Sequence, residues 1–430
     1  MVLRINRVRL ARLFIVLMTL TPSLSLGFSP AHAIVTGPTV VGMGGVSLGE
    51  AHKFSSGNPP TRVANVTGPA SDMEYVIQVM ASKGMNGVRV DFDPSCTTSP
   101  SPIGSQYSAS DLAMAIKIAQ TYGFYIIVDY HGYTDIFQTT SCWLNVWSGI
   151  TKQFGGNTYP GIIWEPENEP KYSGASCGGA LACMPTLSSA YQQFIGQTRG
   201  QGDNHWIIVQ NICSLGCSLC PDGAGDCMNA VNGFPSVTDP ANHIFISIHS
   251  YLQCQYDSSS GATTEAQDYY NMIQAGIAQT GWPALNTEGG ADNISALSSC
   301  GDSTIQLTGS AGYSTISLSF TQSLTNLYDS ASPRIGWLWW PAGDWTDTQG
   351  AGALGNMQNN SSPQGWGSLL SFKAAQTGPT NSTGKGTPPS GPPSNGNNWP
   401  IFIAVGASIV GVLGILILFS KRRRGRPGAD

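Results

Sequence analysis

Charge is scarce in this chain. Only 10% of its 430 residues are Asp, Glu, Lys or Arg, and the formal net charge is -5. No basic patch lies outside the termini, so composition gives no case for nucleic acid. Cysteine is missing before Cys96 and after Cys300, so all 10 fall inside one stretch. No short internal repeat is visible. Against this uncharged background the stretch "GIIWEPENEP", Gly161 to Pro170, carries Glu165, Glu167 and Glu169 at alternate positions. A concentration of acids where acids are rare marks it as a candidate for chemistry.

The two ends read as export and anchoring signals. Arg4, Arg7, Arg9 and Arg12 precede an apolar run from Leu13 to Leu20, and Ala31-His32-Ala33 offers a small-x-small cleavage site. That is the layout of a secretory signal peptide over 1–33. The alternative, a retained anchor, is weakened by Pro22 and several serines, which break the run short of the ~20 residues that span a bilayer. At the other end Ile401 to Phe419 carries no charge and is followed by "KRRRGR". We expect a transmembrane helix over 399–420 and a cytoplasmic basic tail over 421–430. The stretch 377–398, rich in Pro, Gly, Ser and Asn, reads as a linker that buries no core. No Leu-Pro-x-Thr-Gly sorting signal precedes the apolar segment, which favours a membrane anchor over wall attachment. The expected location is the cell surface, with the main body outside.

An even cysteine count in an exported body points to disulfides. Cys177 with Cys183 is a plausible local pair. The run "CSLGCSLC", Cys213 to Cys220, also resembles a metal knuckle, but it lacks a second clean Cys-x-x-Cys. Sequons at Asn65, Asn293, Asn359, Asn360 and Asn381 would suit surface loops, although such triplets also arise by chance in a Ser/Thr/Asn-rich chain.

Between the ends, 34–376 alternates apolar runs with amphipathic segments. The strand candidates are Thr39–Val46, Gly87–Phe92, Phe124–Tyr130, Gly161–Glu165, Trp206–Ile212, His243–His249, Pro283–Glu288 and Ile335–Trp340. They are almost continuously apolar, as parallel strands buried on both faces are. One helix opens at Ser71 with Glu74 three residues on, a capping box, and closes at Gly84. Another opens at Ser110 and closes at Gly123. Further helices are expected over Leu144–Phe154, Ser188–Arg199, Thr264–Thr280, Ser314–Tyr328 and Gly365–Ala375. Eight strand-helix units in one domain predict an α/β (β/α)8 TIM barrel. The rival is a doubly wound sheet using "GMGGVSLG" at Gly42 as a phosphate loop. No capped helix follows it at once, and no acid closes a second strand about 20 residues on.

Barrel chemistry sits at the C-terminal ends of strands. Those ends supply Arg89, then Asp129 and His131, then the glutamate cluster, then His249 and Tyr251, then Glu288, then Trp339 and Trp340. Each has a bland reading: a satisfied histidine, an arginine neutralising a buried acid, a core tryptophan. Their common rim is what favours function. Pro166 cannot donate to a ladder, so it ends the fourth strand and leaves Glu167, Asn168 and Glu169 beyond it. Glu167 and Glu169 would approach a substrate from one side, so a flanking partner must come from another strand, and Glu288 is the obvious candidate.

The ordered set "DYHG", "WEPENEP", "IHSY", "NTEGG" and "WLWWPAG" resembles glycoside hydrolase family 5, the family of many cellulases, across essentially the whole body. The resemblance implies that Glu169 is the acid/base and Glu288 the nucleophile. It implies that Asn168 hydrogen-bonds the sugar 2-hydroxyl and that Arg89 and Tyr251 keep the nucleophile ionised. His131 and His249 would contact the sugar or tune the acid, and Trp340 would floor the ring beside the broken bond. No metal or cofactor is implied. The expected activity is retaining, endo-acting hydrolysis of internal β-1,4 bonds of cellulose or related β-glucan, with a β-mannanase or other β-glycanase as the alternative. Glu169 is expected to have a raised pKa, and the carboxyls to lie ~5–5.5 Å apart. Trp143, Trp339, Trp340 and Trp345 are candidates to stack on sugar rings. Glu165 reads as a buried structural acid, and Glu167 as either structural or a rim contact. Two departures stand out: Gly289 and Gly290 follow Glu288 where the family usually has a bulky residue, and no second His or Asn follows His131. A glycan-binding barrel without catalysis is a rival that the Glu169/Glu288 pair disfavours. A metal-dependent barrel hydrolase would want His-x-His after the first strand, which is absent. Nothing in the sequence sets the oligomeric state.

Overall fold

The structure is a computed structural model. It describes residues 35–54, 62, 68–93, 95–96, 106–172, 177–212, 233–252, 259–290, 315–340, 370–375 and 378–379. All lie in one compact unit, Met1–Ser382. The expected signal peptide, transmembrane segment and basic tail lie outside the described residues, as do Asn65, Asn293, Asn359, Asn360, Asn381, Trp345 and Cys213 to Cys220. Among the described residues no helix is long and apolar enough to cross a membrane.

The strands, in chain order, are β1 Val41–Ser47, β2 Gly87–Phe92, β3 Tyr125–Tyr130, β4 Ile162–Glu165, β5 Trp206–Gln210, β6 Ile244–Ser247, β7 His249–Tyr251, β8 Leu285–Asn286, β9 Glu288–Gly290 and β10 Gly336–Trp339. One eight-stranded parallel sheet runs β6-β5-β4-β3-β2-β1-β10-β8. Its two edges meet at a parallel bridge between Ile246 and Ala284, and Ile246 N–H donates to Pro283 O at 3.0 Å. The sheet thereby closes as the expected TIM barrel. Above that seam β7 and β9 form their own parallel pair, with His249 opposite Glu288.

Helices cover the outside: α1 Asp72–Ser82, α2 Ala109–Tyr122, α3 Asp135–Gln138, α4 Thr140–Phe154, α5 Ala180–Gly200, α6 Ser259–Thr280 and α7 Thr315–Ser330. In α1 the buried residues Met73, Val76, Ile77 and Met80 follow the i, i+3, i+4, i+7 spacing of one helix face. Ser71 Oγ caps it by accepting from Glu74 N–H. The carboxylate of Glu74, expected to complete a capping box, receives Arg62 and Tyr122 instead. Ser108, not Ser110, caps α2, and Gly123 closes it at φ 67°. The helix expected over Gly365–Ala375 does not form in its described part, Leu370–Ala375. Its backbone is taken by side chains: Gln322 binds Ser371, Asp329 accepts from Lys373 N–H, and Arg334 donates to Lys373 O and Ala374 O.

Two apolar layers result. Val40, Ile127, Ile163, Ile208, Phe245, Leu285 and Leu338 form one small cluster. A larger one joins the strands to the helices. Each fully buried aliphatic or phenyl side chain stabilises by about 1.5–3 kcal/mol. Nearer the C-terminal ends of β3 and β4 lie Asp129 and Glu165, which meet Arg89 from β2. The glycines of "GMGGVSLG" serve this packing, not a phosphate. A Cβ at Gly42 would lie 1.8 Å from Gly87 O on the adjacent strand. Gly45 adopts φ 81° where the β1–β2 register shifts.

Candidate active site

Arg89 is the hub, and its exposure is 0%. Its Nε donates to Glu165 Oε2 at 2.5 Å, Nη1 to Glu288 Oε2 at 2.7 Å, and Nη2 to Asn168 Oδ1 at 2.7 Å. Nη2 also lies 3.0 Å from Asp129 Oδ2, and Nη1 3.5 Å from Asp91 Oδ1. A guanidinium offers five donors in a fixed fork, so one residue can orient groups from β2, β3, β4 and β9. Asp91, Asp129 and His131 bring one donor atom each within 4.8 Å of one another, and Arg89 pairs with both of those acids. The positive charge that a metal ion would bring to those acids is already present.

Glu288 is held at both oxygens, by Arg89 and by the Tyr251 hydroxyl at 2.7 Å. Glu169 Oε1 lies 3.0 Å from His249 Nδ1, and Lys171 Nζ lies 3.7 Å from Oε2. One donor atom each from Glu169, His249 and Glu288 fits within 4.8 Å. The β7–β9 pair is responsible, since it sets His249 beside Glu288. Glu169 takes φ 43°, a left-handed conformation uncommon away from glycine. Its N–H donates to Gln210 Oε1 at 3.0 Å, which helps to hold that turn.

The imidazoles are oriented by their neighbours. His131 Nδ1 donates to Asp129 Oδ2 at 2.7 Å, leaving Nε2 to accept from Asn168 Nδ2 at 3.2 Å and Tyr133 OH at 3.3 Å. Asn168 is therefore fixed at both ends of its amide. The half-buried Trp340 ring lies 5.8 Å from that of His131, and the backbone N–H of Trp340 donates to Gly289 O at 2.8 Å, next to Glu288.

Electrostatics separates the acids. Burial alone would raise Glu165, but Arg89 and then His249 bring it down to about 2. Gln210 and Thr287 also donate to it, so the structural role expected for Glu165 agrees with its contacts. Glu169 is corrected. A raised pKa was expected, yet although burial pushes it up, His249 and then Lys171 bring it down to about 2. His249 moves the other way: burial opposes its charge, but Glu288, Glu165 and Glu169 lift it to about 9. In the unliganded site the shared proton therefore rests on the imidazole. Glu167 is raised well above the ordinary range by burial and then by Asp135. It is fully buried, and Ile136 N–H points at its Oε1 from 3.5 Å. It is a structural acid rather than a rim contact.

Two expected stacking residues are core. Trp143 is fully buried, and its indole N–H shares Pro166 O with that of Trp147, at 2.7 and 2.9 Å. Trp339 is fully buried, stacked on Trp337, and donates to Thr325 Oγ1. The glycines after Glu288 also find a reason. Gly289 has φ 146°, and a Cβ there would lie 2.3 Å from Ser250 O on β7. Cys177 and Cys183 pair as expected, and Cys96 pairs with Cys142. Sequence pattern alone does not single out Gln210, Thr287, Tyr133 or Lys171. Gln210 ends the fifth strand and was visible to the strand-end rule, had that strand not been extended to Ile212.

A closed parallel barrel with two carboxylates from different strands facing each other at its C-terminal rim is the arrangement of a barrel glycoside hydrolase. Residues 51–344 match the family model described as Cellulase (glycosyl hydrolase family 5), and the chain belongs to that family. No curated protein sequence matches it. Solved structures similar to it include an endo-β-1,4-glucanase from Xanthomonas axonopodis pv. citri, at 19% identity and TM-score 0.46, covering 72% of this chain and 92% of that one. A family 5 lichenase from Caldicellulosiruptor sp. F32, solved with cellotetraose, shows 14% identity and TM-score 0.48, covering 78% and 93%. A broad-specificity endoglucanase from Clostridium acetobutylicum shows 15% and 0.48, covering 77% and 97%.

Proposed function

We propose that the chain is a retaining, endo-acting β-glycosidase that cuts internal β-1,4 bonds of cellulose or a related β-glucan. The observation that carries this reading is the Glu169–Glu288 approach within 4.8 Å, with Arg89 and Tyr251 on Glu288. A separation of ~5–5.5 Å suits a nucleophile that attacks directly, whereas ~6.5–9.5 Å leaves room for an intervening water and inversion. Glu288 attacks the anomeric carbon, the glycosidic C–O bond breaks, and a glycosyl ester forms. Glu169, its Oε1 held by His249 at 3.0 Å, takes up a proton from solvent on Oε2 and passes it to the departing oxygen. Consumption of the Glu288 charge removes the strongest anionic support for the imidazolium. Glu169 then takes a proton from water as that water releases the sugar. Asn168, pinned between Arg89 and His131, is placed for the sugar 2-hydroxyl, and Trp340 for the ring face.

The proposal extends to organisation: a cleaved signal peptide over 1–33, a catalytic domain over 34–376, a linker over 377–398, and a membrane anchor over 399–420. The enzyme would then release soluble sugars at the cell surface. The test is hydrolysis of carboxymethyl-cellulose, mixed-linkage β-glucan, mannan and xylan, with NMR of the first product anomers. Early appearance of the β-anomer from a glucan supports the reading. An α-anomer first, or no new reducing ends on any of them, rejects it.

A further inference from the structure

Lys171 has no part in the mechanism above, yet among the described residues it is the cation nearest the second oxygen of Glu169. Glu169 Oε1 is occupied by His249. Oε2 is the oxygen left for a leaving group, and Lys171 Nζ lies 3.7 Å from it. Lys171 is not simply adrift at the rim. Its Nζ sits 3.8 Å from the centre of the Tyr133 ring, a cation–π contact, and its backbone N–H donates to Tyr133 O at 2.5 Å. Tyr133 in turn contacts His131 through its hydroxyl at 3.3 Å, with ring centres 5.7 Å apart, and His131 faces Trp340. Trp340, His131, Tyr133 and Lys171 thus form one wall. It runs from the backbone beside Glu288 to the carboxylate of Glu169.

The Lys171 side chain is 26% exposed and that of Glu169 is 11% exposed. The ammonium therefore keeps donors free for solvent or a sugar hydroxyl while its charge reaches a nearly buried carboxylate. The charged and titratable groups that face Glu169 are His249 from β7, Glu288 from β9, His131 from the loop after β3, and Lys171 from its own loop; Glu165 lies 3.9 Å from the other nitrogen of His249. Among the described residues, Lys171 is the cation paired with Oε2.

We propose that Lys171, seated on Tyr133, is a positioning residue for the acid/base: it holds Glu169 Oε2 toward the departing sugar and sets how readily that oxygen gives up its proton. The inference rests on the glycosidase reading above. It has a specific consequence for the leaving group. A sugar alcohol needs Glu169 to protonate it, whereas dinitrophenolate departs without help.

The test compares full-chain wild type, Lys171→Met and Lys171→Arg on cellopentaose and on 2,4-dinitrophenyl β-cellobioside across pH. Removing the charge strengthens the hold of Glu169 and His249 on their shared proton. The alkaline limb of kcat/KM for cellopentaose should then move up by roughly half a pH unit in Lys171→Met, the scale of a partly exposed ion pair. Its kcat should fall several-fold, by more than on the dinitrophenyl substrate. Lys171→Arg should restore both. Coincident limbs in wild type and Lys171→Met, equal losses on the two substrates, or no restoration by arginine overturns the inference and leaves the glycosidase reading intact. Wild type inactive on both substrates overturns the two together.

Discussion

Arg89 and Glu288 stand 199 residues apart in the chain and meet through a 2.7 Å contact between Nη1 and Oε2. The same guanidinium holds Glu165, Asn168 and Asp129. One buried cation thereby couples the candidate nucleophile to the strands that carry the candidate acid/base.

Arg89→Met is expected to damage stability and activity together. It strands several buried carboxylates, and removing one partner of a buried ion pair costs about 3–5 kcal/mol. Arg89→Lys keeps a charge but cannot reproduce the fork, so it should recover part of the stability and little of the turnover. Thermal unfolding and kcat, measured on both variants, check this. Equal recovery of both by lysine would show that charge alone matters.

His249 gives stability a pH dependence of known sign. Its folded value of about 9 lies above the ordinary 6.5. Its contribution is therefore fully present below about 6.5 and lost as pH rises through about 9. Glu165 works at the other end: its folded value of about 2 lies below 4.5, so its contribution is present above about 4.5 and lost as pH falls through about 2. His249→Gln should lower the unfolding temperature most near pH 6 and least above pH 9. A constant difference across that range would show that the imidazole is not charged in the fold.

Glu167 carries the opposite lesson for an acid. Its folded pKa is raised, so whatever stability the protonated form contributes is present below about 4.5 and lost as pH rises. Glu167→Gln keeps the shape without the titration. The variant should match wild type near pH 4 and become progressively more stable relative to it toward pH 8. Denaturant midpoints at the two values decide; a variant less stable at pH 8 would mean that an ionised Glu167 has a use.

The barrel was legible because buried parallel strands are written as apolar runs, and all eight expected runs coincide with strands to within a few residues. Glu288 was legible as the last residue of the seventh run, and Arg89 as the one cation inside the second, within β2 rather than at its end. What sequence could not supply was which way an aromatic faces. Trp143 and Trp340 are the same residue type, and only packing puts one beneath Pro166 and the other beside His131. The pKa of Glu169 lies below, not above, its ordinary value for a related reason. Burial was foreseeable, but His249 at 3.0 Å reverses its sign, and that contact depends on a seam between strands distant in the chain. The helix expected over Gly365–Ala375 fails in its described part, Leu370–Ala375, because side chains of α7 and Arg334 claim the backbone there.

The division of labour between the two carboxylates can be tested directly with azide. Glu169→Ala should lose roughly 10²–10⁴-fold in turnover of glucan, the scale of general acid–base catalysis. Its glycosyl-enzyme still forms from a substrate with a good leaving group, because Glu288, Arg89 and Tyr251 are untouched. Azide needs no general base, so it should restore turnover of dinitrophenyl β-cellobioside in this variant and yield the β-glycosyl azide. In Glu288→Ala the nucleophile is missing, and azide entering the space it vacates attacks from the opposite face to give the α-azide. NMR of the two products reads the assignment without reference to rate. A β-azide from Glu288→Ala and an α-azide from Glu169→Ala would exchange the two roles.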